Sequence, residues 1–131
     1  MIFIADNEVD QLATLQYLLR KLFPEEEIWP ADERPFTNWD DVTKELTRKT
    51  ENNDRDLLVI LDLGLEAQHM ASAAAGVQRA RLLRKVREHA VFMAYTQFGD
   101  TVRSDRNYHE IFDGLIDSNR PVIPVVAGML W

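Results

Sequence analysis

The stretch Leu57-Leu58-Val59-Ile60-Leu61-Asp62 is an unbroken aliphatic run closed by a carboxylate. A short apolar run without polar alternation predicts a strand covered on both faces, as in the centre of a parallel sheet. Such a strand needs helices above and below it, and both flanks of the chain offer them.

On the amino-terminal side, Met1–Ala5 is a second apolar run, ending in Asp6. From Val9 to Phe23 the residues Leu12, Leu15, Leu18, Leu19 and Leu22 recur at helical spacing, and Pro24 stops that helix. Glu27–Pro30 reads as a short strand, and Ala31–Phe36 as a loop. Thr37 or Asn38 caps the next helix, whose first turn carries Asp40 and Asp41 and whose apolar face uses Val42, Leu46 and Trp39. Glu51–Asp56 is a polar connection into the central strand.

On the carboxyl-terminal side, Leu63–Ala75 is a long connection with an Ala-rich end that is compatible with helix. A helix is predicted from about Gly76 to Glu88, with Val77, Ala80, Leu83 and Val86 or Arg87 along one stripe. Val91–Tyr95 is a buried strand, Asp100–Glu110 a short helix, and Ile111–Ile116 the last strand. Strands alternating with helices imply parallel pairing through right-handed crossovers. The expected architecture is a five-stranded, three-layer α/β sandwich.

Composition agrees with one packed domain. At 131 residues, 46% hydrophobic and 28% charged, the chain can bury a real core and is not of the disordered class. It has no cysteine, which excludes disulfides, thiol catalysis and thiolate metal sites and fits a reducing, cytoplasmic compartment. No apolar run approaches the ~20 residues that span a bilayer, so no membrane role is expected. The first residues lack the basic flank and long apolar stretch of a signal peptide. A net charge of −7 opposes nonspecific nucleic-acid binding.

In an open parallel sheet, sites form outside the carboxyl ends of the strands. Asp6, Asp62, Thr96 and Asp117 leave those ends here. Carboxylates gathered at one edge suit a hard cation such as Mg2+, and Thr96 adds a hydroxyl. Each residue taken alone is explained as a helix cap. Their joint position at successive strand ends points to a shared site.

These stretches resemble the receiver domains of response regulators. Ile2-Phe3-Ile4-Ala5-Asp6-Asn7-Glu8 is similar to the first strand and acidic turn of that family. Leu58-Val59-Ile60-Leu61-Asp62-Leu63 is similar to the third strand with its phospho-acceptor, and Ala94-Tyr95-Thr96 to the fourth strand with its hydroxyl residue. Gly76, Val77 and Leu82-Leu83-Arg84-Lys85-Val86-Arg87 match the third helix. The resemblance covers roughly residues 1–118, leaving 119–131 as an apolar tail or shortened last helix. It implies a flavodoxin-like (CheY-like) fold with strand order 2-1-3-4-5. It also implies Asp62 as phospho-acceptor, Thr96 and the residue at Asp117 lining the phosphate site, and Mg2+ on Asp6 and Asp62 with Asn7 and Glu8 as further candidates.

The chain departs from the family at several of these positions. The acid pair after the first strand is Asp6-Asn7, with Glu8 as a substitute acting through water. The lysine expected at the end of the fifth strand is Asp117, which repels a phosphoryl group instead of attracting it. The aromatic switch position aligns with Gly114, and the proline after the phospho-acceptor with Glu66. The last helix has little room between Pro121, Pro124 and Trp131.

Other features have competing readings. The tail from Pro121 to Trp131 is a packed final segment, a docking or homodimer surface, or the start of further chain. Arg79, Arg81, Arg84, Lys85, Arg87 and His89 make a basic third helix, either a solvated face or a contact for an acidic partner. His69, His89 and His109 show no metal-ligand spacing, and Trp29 and Trp39 are assigned to packing.

The leading functional expectation is a non-catalytic, pseudo-receiver-like signalling or scaffolding module that binds another protein or domain and is poorly phosphorylated. The alternative is a phosphorylatable response regulator of a two-component system using Asp62 with Mg2+. A small metal-dependent enzyme built on Asp6, Asp62 and Asp117 ranks last, since no acid–base or phosphate-cradling motif accompanies them.

Overall fold

The computed structural model describes residues 1–32, 34–50, 56–65, 70–96, 102, 104, 106 and 108–117. Within them run β1 (Ile2–Ala5), α1 (Val9–Leu22), β2 (Ile28–Trp29), α2 (Trp39–Lys49), β3 (Leu58–Asp62), α3 (Met70–Val86), β4 (Val91–Thr96), α4 (Tyr108–Ile111) and β5 (Gly114–Asp117). The strands form one five-stranded sheet in the order β2-β1-β3-β4-β5, and every neighbouring pair is parallel. This is the expected topology, with the Leu58–Asp62 strand in the middle.

Alternation along each strand sorts side chains into two cores. Phe3, Ala5, Val59, Leu61, Phe92, Ala94 and Leu115 join one, together with residues of α2, α3 and α4. Ile2, Ile4, Leu58, Ile60, Met93, Tyr95 and Ile116 join the other, with Leu12, Leu15 and Leu19 of α1. The aliphatic run of β3 is therefore covered on both sides. Each fully buried aliphatic side chain there contributes roughly 1.5–3 kcal/mol of burial.

Local chemistry sets the helix ends. At the start of α2, Asn38 Oδ1 accepts the Asp41 N–H at 2.8 Å, so of the two expected caps Asn38 takes the role. Phe23 N–H donates to the Leu19 carbonyl at 2.8 Å, closing α1 just before Pro24. At the far end of α2, Arg87 donates to Thr50 Oγ1 at 2.9 Å and to the Thr47 carbonyl at 3.1 Å, satisfying groups the helix leaves open.

Several boundaries differ from expectation, the short second strand covering only Ile28–Trp29. The third helix begins at Met70, taking in the Ala-rich segment, and ends at Val86; alanine's high helix propensity extends it well ahead of Gly76. The last strand starts at Gly114 because Ile111 closes α4, where Phe112 N–H donates to the Tyr108 carbonyl at 2.8 Å. The Pro121–Trp131 tail, Glu66 and His69 lie outside the described residues. Among the described residues no helix is long and apolar enough to cross a membrane.

Candidate functional site

The register of the central strands brings two carboxylates together. Ala5 pairs with Leu61, so Asp6 and Asp62 follow side by side at the carboxyl edge. Asp62 is in turn level with Tyr95, and Thr96 with Asp117. All four sequence-predicted strand-end residues thus lie along one edge of β1, β3, β4 and β5.

Each carboxylate ties down the turn that follows it. Asp6 Oδ1 accepts the Glu8 N–H at 2.9 Å, and Asp62 Oδ1 accepts the Gly64 N–H at 2.9 Å. Both are short Asx-type turns, which aspartate favours because its oxygen reaches the backbone two residues on. The turns are then laced together, since Asn7 Nδ2 donates to the Leu65 carbonyl at 3.0 Å. The loop after β2 joins this edge too, through Phe36 N–H to the Asp6 carbonyl at 2.9 Å.

Electrostatically the pair is strained. Asp6 is fully buried, and among the described residues its Oδ2 has no hydrogen-bond partner. Burial, with Asp62 and Glu8 nearby, pushes the Asp6 carboxyl up to about 7, against the pull of the Glu8 N–H. Burial raises Asp62 as well, while N–H groups of Gly64 and Asn7 and the Asp6 side chain oppose the rise. The Tyr95 phenol beside them is pushed up to about 12 by burial and by Asp6, Asp62 and Glu8.

A hard divalent cation fits the Asp6–Asp62 pair. An orphaned buried carboxylate oxygen next to a second carboxylate is a donor set of the kind Mg2+ takes, with water completing the shell. Held by Asp6 and Asp62, such an ion would offset the carboxylate charge that burial disfavours at both groups. The further candidates take other positions. The Asn7 amide nitrogen is spent on Leu65, and the Glu8 side chain is exposed. Among the described residues no Asp, Glu or His joins the pair to make a three-ligand group.

Thr96 is buried, at 4% exposure, and Asp117 takes its place by register on the edge strand β5. Sequence reasoning named Asn7 only as a candidate cation ligand and passed over Tyr95. Asn7 laces the two turns, and Tyr95, one residue before Thr96, stands level with Asp62.

No family model matches the sequence, and no curated protein matches it. Solved structures do match. A LuxR family DNA-binding response regulator from Silicibacter pomeroyi is 16% identical with a TM-score of 0.67, over 98% of this chain and 89% of that one. A response regulator receiver domain protein from Clostridium thermocellum is 16% identical with a TM-score of 0.65, over 98% of this chain and 90% of that one. The fold is that of a receiver domain. The receiver fold accounts for the sheet order and for the placing of Asp62 at the end of the central strand.

Proposed function

We propose that this chain is a non-catalytic, receiver-like signalling or scaffolding module that works by binding another protein, and that Asp62 is not efficiently phosphorylated. The observation that carries this reading is the register of β4 and β5. It sets Asp117 level with Thr96, at the strand end where the family resemblance implies a lysine. Transfer of a phosphoryl group to a carboxylate requires cations around the oxygens that carry charge in the transition state. Here the edge already gathers Asp6 and Asp62, and Asp117 adds a further acid to the same edge. Gly114 also has no side chain to serve as the aromatic reporter that the resemblance implies on β5. The test is incubation with acetyl phosphate and Mg2+ followed by intact-mass measurement. The reading expects unmodified protein, and stoichiometric phosphate on Asp62 overturns it.

A second reading has its own support. Asp6 and Asp62 stand together in an arrangement that suits Mg2+, which is what a phosphorylatable response regulator requires. Under that reading Asp62→Ala abolishes signalling while the fold persists.

A further inference from the structure

The basic third helix divides into an inner and an outer set. Arg84 and Arg87 turn back onto their own fold. Arg84 Nη1 donates to the Ala90 carbonyl at 2.6 Å and to Asp113 at 3.0 Å, and its guanidinium lies 5.2 Å from the Phe92 ring centroid. Arg87 closes the end of α2. Arg81 reaches Glu110 of α4 at 3.5 Å.

The outer set faces solvent. Gln78, Arg79, Leu82, Lys85 and Val86 are all exposed, and their spacing of three and four residues puts them on one stripe. Leu82 is 56% exposed and Val86 45%, an apolar pair one turn apart with nothing over it among the described residues. Among the described residues the other exposed large apolar side chains, Val9 and Tyr17, lie two turns apart on α1, and Lys21 sits 4.6 Å over the Tyr17 ring. The stripe of α3 carries Arg79 and Lys85 and no carboxylate. Among the described residues its one ion pair, Arg79 with Asp40 at 3.8 Å, joins two largely exposed groups and is worth little.

We infer that this stripe docks an acidic amphipathic helix of a partner protein, whose apolar face covers Leu82 and Val86 and whose carboxylates meet Arg79 and Lys85. The inference deepens the binding-module reading and rests on it. Charge selects the occupant. A second copy packed symmetrically on the same stripe sets Arg79 and Lys85 against their own equivalents. Nucleic acid needs more phosphate contacts than the two cations of this stripe provide. An acidic helix supplies both the apolar ridge and the opposite charge.

The test is an NMR titration of the whole chain with a designed amphipathic helix of about five turns, Leu-faced and Glu-flanked, beside a Lys-flanked copy. The expected result is saturable shifts centred on residues 78–86 with the Glu peptide only. Leu82→Ser and Lys85→Glu, both at exposed positions, should each weaken that binding about tenfold or more with an unchanged circular dichroism spectrum. Equal binding of both peptides, shifts centred elsewhere, or no binding overturns the inference. So does self-association lost in Leu82→Ser, or binding to duplex DNA through this stripe. Phosphate incorporation is read separately, so a failed titration with unmodified Asp62 removes the docking stripe and leaves the module reading standing.

Discussion

Gly76 of α3 packs directly on the backbone of Leu63, so closely that a Cβ built at Gly76 would lie 2.2 Å from the Leu63 carbonyl oxygen. Leu63 is the first residue after Asp62, and its N–H donates to the Tyr95 carbonyl at 3.2 Å. The helix is thereby seated against the turn that leads from Asp62 to Leu65, where the Asn7 amide docks.

Gly76→Ala should therefore destabilise the fold by about 2–3 kcal/mol, the range of a backbone-level overpacking. Urea unfolding should show a lower midpoint with an unchanged slope. Asn7→Ala, which removes one hydrogen bond between the two turns, should cost about 1 kcal/mol.

Asp6 sets a pH dependence whose sign follows from its raised pKa. The folded chain holds this proton up to about pH 7, whereas an ordinary aspartate releases it near 3.8. Between those values the native state binds the extra proton, so stability falls as pH rises from about 4 to about 7 and then levels off. Asp6→Asn keeps an acceptor for the Glu8 N–H and places a donor beside Asp62. In metal-free buffer it should match the parent near pH 4 and exceed it above pH 7, by on the order of 4 kcal/mol. Denaturation curves across pH check both the direction and the plateau.

Mg2+ should act in the opposite sense. Above pH 7 it neutralises the Asp6–Asp62 pair, so millimolar MgCl2 should raise the thermal midpoint of the parent chain. The rise should be lost in Asp6→Asn and absent when NaCl of equal ionic strength replaces the MgCl2.

The basic helix offers a contrast within one element. Arg87→Ala should cost about 1 kcal/mol, because it uncaps α2 at Thr47 and Thr50. Arg79→Ala should fall within about 0.5 kcal/mol of the parent, since its ion pair with Asp40 is exposed. Parallel urea titrations separate the two.

Much of the fold is legible in short-range pattern. The run ending in Asp62 marks the central strand because burial on both faces leaves no reason for polar alternation, and Asn38 marks the start of α2 through its cap. The boundaries of α3 and β5 are less legible. Alanines 71 and 73–75 carry no periodicity to show which face they turn inward, and Ile111 is as apolar at a helix end as it would be in a strand. The strand-end carboxylates are visible because they follow apolar runs. The Asn7–Leu65 lacing and the inward turn of Arg84 and Arg87 are not, since their partners lie far off in sequence and are largely backbone carbonyls.

The central claim is that the carboxyl edge, with Asp117 level with Thr96, does not support phosphorylation of Asp62. The most direct measurement is intact-mass analysis after acetyl phosphate and Mg2+, run side by side on the parent and Asp117→Lys, with Asp62→Ala as the blank. The account predicts an unmodified parent and measurable phosphate on Asp117→Lys. A parent that takes up stoichiometric phosphate at Asp62 would contradict it.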